Sequence, residues 1–380
     1  MTRQELEDIL ILYRAEGVSH RQTGKLIAQA GGLTEVFAAP PAVLARWGLK
    51  RSAVTTITSR MATSEIKAEA DFVEKNGIRA IGFWEEDYPL LLRECPDAPV
   101  LLFGRGSFDF KSQPFALSIV GTRSITPYGA SVTEEIVRAL APFSPVIVSG
   151  LAYGVDVHAH RAALKYGLPT VGILGQGLGT PLYPSQNRET GRQMCAAPGC
   201  GVMTEYQHLQ AALPALFPAR NRIVAGISRA TIVVEAKAKG GALITAELAG
   251  GYNREVFAVP GRISDPCSAG CNALIRRNKA IITDDPQVII EELALACENP
   301  AGKKGKETAV QTILSEPLSN EEEKVVKILA PVEKMHVDEL CIALEMPVQT
   351  LSGLLLELEL KGLIDALPGK YYALSPAARG

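Results

Sequence analysis

FALSIVGTRSITPYGASVTEEIVRALAPFSPVIVSG, residues 115–150, decides the fold. Two apolar runs, FALSIVG and PVIVSG, flank a glycine-bearing turn and a helical stretch. Continuous apolar runs predict strands covered on both faces, and strand–helix–strand is the parallel crossover unit. The rhythm continues outward at LPTVGILG (168–175), GVMTE (201–205), TIVVEA (231–236), EVFAVPG (255–261) and AIITDD (280–285), with helical stretches between most of them. The expectation for residues 67–297 is an α/β domain with a mostly parallel, doubly wound sheet. Its leading part includes the strand-like IRAIGFW (78–84) and VLLFGRG (100–106).

The flanks read differently. Residues 1–66 carry apolar positions at helical spacing in LEDILILYRA and TGKLIAQA, punctuated by Gly31-Gly32, Pro40-Pro41 and Gly48. This is a small helical domain, either of the SAM or helix-hairpin-helix type or a packing and partner-binding bundle. Residues 298–317, with Lys303, Lys304, Lys306 and Pro317, read as a linker. Residues 318–380 give three helices and a short hairpin, the order of a winged helix.

Composition sets bounds. A chain of 380 residues exceeds one ordinary core and predicts two or three domains. No apolar run approaches the roughly 18 residues of a membrane helix, and MTRQELEDIL has no signal-peptide pattern, so a cytoplasmic location is expected. A net charge of −2 means that any nucleic-acid footprint is local. Seven cysteines are odd in number and argue against a disulfide framework. Cys195, Cys200, Cys267 and Cys271 are spaced loosely like zinc ligands but lack flanking ligand knuckles; thiols in a reducing compartment are the expectation, with no metal.

In open parallel sheets ligands bind at the carboxyl ends of the strands. Those ends here carry Gly121, Thr122 and Arg123, then Ser149 and Gly150, then Lys237 to Gly241. Small residues admit a ligand to the backbone and helix amino termini favour anions, so the site is expected to take phosphates. The first turn, GTRSITPYG, lacks a dinucleotide fingerprint, and no GxxxxGK[ST] loop occurs, which disfavours NAD and a Walker-type ATP site. No cofactor is expected.

Catalytic machinery is hard to assemble. His158 and His160 are two apart and point to different helix faces, which suits packing and hydrogen bonding. Asp156 is expected to cap their helix, and Glu205 and Glu235 to orient arginines or backbone groups. The most informative stretch is LFPARNRIVAGISRATIVVEAKAKGGALITAELA, residues 216–249. From Pro218 to Lys239 it holds Arg220, Arg222, Arg229, Lys237 and Lys239 against one acid, Glu235. Arg220 and Arg222 lie near a predicted helix start, where guanidinium and backbone N–H groups share phosphates. Phe217 stacks on a base, or is a buried Phe beside a solvated basic rim.

At these residues the sequence resembles the DNA-processing protein A family, also called DprA or Smf. The matching motifs, in order, are IVGTRSITPYG, SGLAYGVDVHAHRAAL, TVGILGQGLGTPLYPSQN, FPARNRIVAGIS, VVEAKAKGGALITA, EVFAVPG and GCNALIRRN. The resemblance implies an extended Rossmann-like domain that binds single-stranded DNA, protects incoming DNA and helps load the RecA-type recombinase, as in natural transformation. It also implies a homodimer and no enzyme activity. Carried over, the phosphate turn is Gly121, Thr122 and Arg123, and the FPxRN segment is Phe217, Pro218, Arg220 and Asn221. The basic residue before the glycine turn is Lys239.

The chain departs from the usual KSGSLITA at Gly240 and Ala242, losing two hydroxyls, and has Asn278 where a glycine is usual. The tail holds ten acids against five lysines from Leu318 to Ser375, and its candidate recognition helix has no arginine. Phosphate repulsion there points to protein contact or regulation. The competing reading is a nucleotide-processing, phosphoribohydrolase-like Rossmann enzyme. GGALITAE lacks the proline and spacing of that class's PGGxGTxxE pattern.

Overall fold

The computed structural model describes residues 1–113, 115–295, 320–330, 334–344, 346–361, 363–367 and 371–374. The chain forms two compact units, Met1–Asn299 and Pro300–Gly380. The expected linker, 298–317, lies outside the described residues.

The first unit opens with six helices, α1 (Arg3–Arg14), α2 (His20–Ala30), α3 (Leu33–Ala38), α4 (Pro41–Arg46), α5 (Arg51–Ser59) and α6 (Ser64–Lys75). Thr2 and Ser19 start α1 and α2 with capping boxes, in which Glu5 and Gln22 return the bond. The apolar faces share one core with Val100, Leu101 and Phe103, so the bundle is packed on the sheet that follows.

The sheet then builds as β1 (Arg79–Gly82), α7 (Leu90–Arg93), β2 (Leu101–Gly106), β3 (Ala116–Val120), α8 (Pro127–Leu140), β4 (Val146–Ser149), α9 (Val155–Lys165), β5 (Thr170–Ile173), α10 (Arg188–Ala196), β6 (Gly201–Thr204), α11 (Leu216–Ile227), β7 (Ala230–Val233), α12 (Gly241–Gly251), β8 (Glu255–Ala258), α13 (Ala269–Arg276), β9 (Ile281–Ile282) and α14 (Pro286–Glu292). Strand order is β1-β2-β6-β5-β4-β3-β7-β8-β9. Pairings from β6 to β9 are parallel, while β1 and β2 extend the β6 edge antiparallel. The doubly wound expectation is met, and the connector strands belong to the same sheet.

Successive side chains of a strand serve opposite faces. Leu117 and Ile119 of β3, Ile147 of β4 and Ile232 of β7 join the core beneath α8, α9 and α14. Ala116, Val120, Val146, Val148 and Val233 join the core beneath α7, α11, α12 and α13. Ile289, Ile290, Leu293 and Leu295 are buried in the first of these cores, so α14 and the residues just after it pack onto the sheet. Asn278 sits just past α13 at φ 53°, filling the left-handed position usually given to glycine.

The second unit comprises α15 (Asn320–Leu329), β10 (Met335–His336), α16 (Val337–Leu344), α17 (Val348–Leu360), β11 (Ile364–Leu367) and β12 (Tyr371–Leu374). Among the described residues three helices and a three-stranded sheet, ordered β10-β12-β11, close on Val325, Leu329, Leu340, Leu351, Leu355 and Leu358. This is a winged helix. Lys361, following α17, is held at 2.5 Å by Glu322 of α15.

Candidate functional site

Chain direction around the sheet reverses between β3 and β7, because β4, β5 and β6 grow from one side of β3 and β7 from the other. Their connections leave a crevice at the carboxyl ends, the place where open α/β sheets bind ligands. A cavity of about 740 Å³ occupies it. Gly121, Thr122, Arg123, Gly150, Phe217, Arg220, Asn221, Lys237 and Lys239 line it, so nine of the residues singled out in the sequence converge.

The turn after β3 is locked on both sides. Thr122 N–H donates to the Glu235 carbonyl at 2.7 Å, and Val155 N–H donates to the Thr122 carbonyl at 3.2 Å. A Cβ on Gly121 would lie 2.4 Å from Val155 Cγ2 and 2.9 Å from the Glu235 carbonyl oxygen, which is why only glycine fits there. The Glu235 carboxylate does not face the cavity: it accepts Thr126 N–H at 3.0 Å, beside the start of α8. Glu205 is likewise engaged, paired with Arg222.

The chemistry of the cavity is that of an anion site. Helix α12 begins behind Gly240, which offers no side-chain cap, so the first-turn N–H groups are left to solvent or ligand. Arg123, Lys237 and Lys239 stand exposed around this end. Asn221 ties the helix start to α11, with Nδ2 donating to the Gly241 carbonyl at 3.2 Å. Glu247 and the buried Asp156 are the carboxylates in the lining.

Four expectations need correcting. Arg220 is not an open phosphate ligand: it is 3% exposed, and Nη1 donates to the carbonyls of Gly150 and Ile173 at the ends of β4 and β5. Burial lowers its pKa to about 10, partly opposed by nearby Asp156. Arg222 does not line the cavity; it turns away to Glu205, whose carboxyl is pushed up by burial and pulled down by Arg222. Ser149 is fully buried and donates to the Ile119 carbonyl at 2.6 Å, so it stabilises neighbouring strands instead of facing ligand. Asp156 lies inside α9 and caps nothing; its Oδ2 accepts Gly150 N–H at 3.1 Å, and burial raises its pKa.

The histidines do pack and bond. His158 Nδ1 lies 2.9 Å from the Gly154 carbonyl. Thr170 spends its only hydroxyl proton on the Ile147 carbonyl at 2.7 Å, so at 2.7 Å it accepts from His160 Nδ1–H. His160 Nε2 is then an unprotonated acceptor, buried and without a partner among the described residues. Burial, with the charge of Arg220, lowers the His160 pKa to about 3.

Phe217 is half-buried. Its ring meets Tyr183 at a centroid distance of 5.6 Å, with the Arg123 guanidinium 5.6 Å from its centroid. The thiols of Cys195, Cys200, Cys267 and Cys271 point to four different carbonyls, those of Arg105, Leu168, Ser124 and Val233. Among the described residues no group of three or more His, Cys, Asp or Glu is placed to hold a metal, and no helix is long and apolar enough to cross a membrane.

Comparison with known proteins places this geometry. Residues 79–294 match the family model described as DNA recombination-mediator protein A, and residues 311–370 match the DprA winged helix domain. Protein Smf of Synechocystis is 35% identical over 314 residues, covering 76% of this chain and 78% of that protein. The crystal structure of DNA processing protein A from Streptococcus pneumoniae superposes with TM-score 0.65 and 32% identity, over 77% of this chain and 98% of that one. DNA processing protein A from Helicobacter pylori, whose structure concerns its single-stranded DNA binding mode, gives TM-score 0.51 and 30% identity over 57% of this chain and 95% of that one.

Proposed function

This chain belongs to the DNA recombination-mediator protein A family, and from that premise we propose that its cavity binds single-stranded DNA through the phosphate backbone. The observation that carries the reading is the convergence of Arg123, Lys237 and Lys239 on the uncapped start of α12 at the sheet's switch point. Flexible cation side chains and backbone N–H groups recognise phosphates without reading bases, which suits a sequence-tolerant single-strand binder. The relative from Helicobacter pylori, studied for its single-stranded DNA binding mode, supports the same ligand.

The finer role is that of a mediator: a cytoplasmic homodimer that protects incoming single strands and passes them to a RecA-type recombinase, as in natural transformation. The family's description as a recombination mediator supports it. Binding without catalysis is favoured because Glu205 and Glu235 are both occupied outside the cavity lining. The acidic winged helix, whose Lys361 is paired with Glu322, is assigned to protein contacts.

Fluorescence anisotropy with matched single- and double-stranded oligonucleotides tests the reading. Tighter single-strand binding with little base preference is expected. Equal or tighter duplex binding contradicts it.

A further inference from the structure

Beside the cavity the chain presents aromatic rings in series. Tyr153 and Tyr183 meet edge to face at 6.5 Å, Tyr183 and Phe217 at 5.6 Å, and Arg123 sits over Phe217. The rings differ in access. Phe217 is confined, since a Cβ on Gly175 would lie 3.1 Å from its Cδ1, whereas Tyr183 is 46% exposed. Tyr183 is thus the most open of the three rings.

Tyr183 is also held still from behind. Gln176, 2% exposed, accepts Tyr183 N–H through Oε1 at 2.8 Å. Its Nε2 donates to Thr180 Oγ1 at 2.8 Å and to the Pro181 carbonyl at 2.9 Å. One buried amide therefore fixes the whole loop that carries the ring. Asn187, equally buried, donates to the carbonyls of Leu151 and Ala152 at 3.0 Å, anchoring the loop of Tyr153. That loop holds Leu151 at φ 52°, a left-handed conformation imposed on a non-glycine residue. Tyr153 is fixed at its tip as well, its hydroxyl donating to Gln186 Oε1 at 2.6 Å.

A fixed, exposed ring such as Tyr183 next to a cationic site is what base stacking requires: a planar platform that loses little entropy when a base settles on it. We infer that Tyr183, backed by Tyr153 and Phe217, is a base-stacking platform leading out of the phosphate cavity. The site then takes an oligonucleotide with its bases, not a phosphate backbone alone. Arg123 joins the two parts, since it lines the cavity and lies against the Phe217 ring. The inference rests on the single-strand reading above and adds the base subsite to it.

The test is anisotropy on the full chain with two probes of equal length, oligothymidylate and an abasic oligodeoxynucleotide. Tyr183→Ala is expected to weaken oligothymidylate binding about five- to 150-fold, the range for one base losing its aromatic platform. Binding of the abasic probe and the salt dependence should be unchanged. Tyr183→Phe, which keeps the ring and the fold, should bind oligothymidylate as the unaltered chain does. Equal losses on both probes, or normal oligothymidylate binding by Tyr183→Ala while Arg123→Ala is weakened, overturns the platform and leaves the cavity reading standing. An unaltered chain that binds neither probe overturns both.

Discussion

Arg220 Nη1 donates to the Gly150 carbonyl at 2.7 Å, from the second turn of α11 to the end of β4. A Cβ on Gly150 would fall 2.3 Å from Arg220 Nη2 and 2.5 Å from Asp156 Oδ2, so the glycine is the gap into which this guanidinium fits. Arg220 is a positioning residue that holds the floor of the cavity. Arg220→Met should lower the thermal midpoint, because each carbonyl left without a donor costs about 1–3 kcal/mol. Single-strand affinity should fall with the salt dependence nearly unchanged, since no phosphate partner is removed. A salt slope reduced as in Arg123→Ala would instead make Arg220 a phosphate ligand.

His160 links stability to pH. Its pKa is about 3 in the folded chain, against about 6.5 when unfolded. Between those values the unfolded chain holds more protons, so stability falls as pH drops below about 6.5, by up to about 1.4 kcal/mol per pH unit. Asp156 and Glu205, with carboxyl pKa values raised by burial, act in the opposite sense, so the informative quantity is the difference between variants. Urea unfolding between about pH 7 and pH 5 should show a shallower loss in His160→Gln than in the unaltered chain. Identical slopes would mean that His160 is not held neutral.

Gly240 separates stability from binding. No atom lies within 4 Å of a Cβ built there, and the backbone is extended, so a side chain is tolerated. Gly240→Asp should cap α12 and leave the thermal midpoint unchanged or slightly higher, since Asp exceeds Gly as a cap by only a few tenths of a kcal/mol. The same carboxylate competes for the N–H groups proposed for phosphate, so DNA affinity should drop. Unchanged affinity in this variant would remove the helix start from the site.

The turns of the site were legible because they are local. Gly121-Thr122-Arg123 follows β3 directly and Lys237 to Gly241 closes the short connection from β7 to α12, and short strand–turn–helix units carry their geometry with them. Arg220 and Arg222 were read as one patch and are not one. Two residues on a helix differ by about 200° in direction, so one plunges beneath the cavity while the other turns to Glu205. Asp156 lies two residues past the cap position, because Gly154 caps α9 and the helix takes the acid inside. Tyr183 carried no local signal beyond a tyrosine in the proline-bracketed LGTPLYPSQN. Its exposure depends on Gln176 and on Phe217, which lies far along the chain.

The salt dependence of single-strand binding tests the central claim most directly. Each cation that neutralises one phosphate contributes about 0.7 to the slope of log affinity against log salt concentration. The double substitution Arg123→Ala with Lys239→Ala should therefore bind more weakly and lose about 1.4 from the magnitude of that slope. Arg222→Ala, outside the cavity lining, should keep the slope. Deletion from residue 310 onward should leave affinity within a few-fold. With circular dichroism showing each variant folded, normal binding by the double variant and abolished binding by the tail deletion would contradict the account.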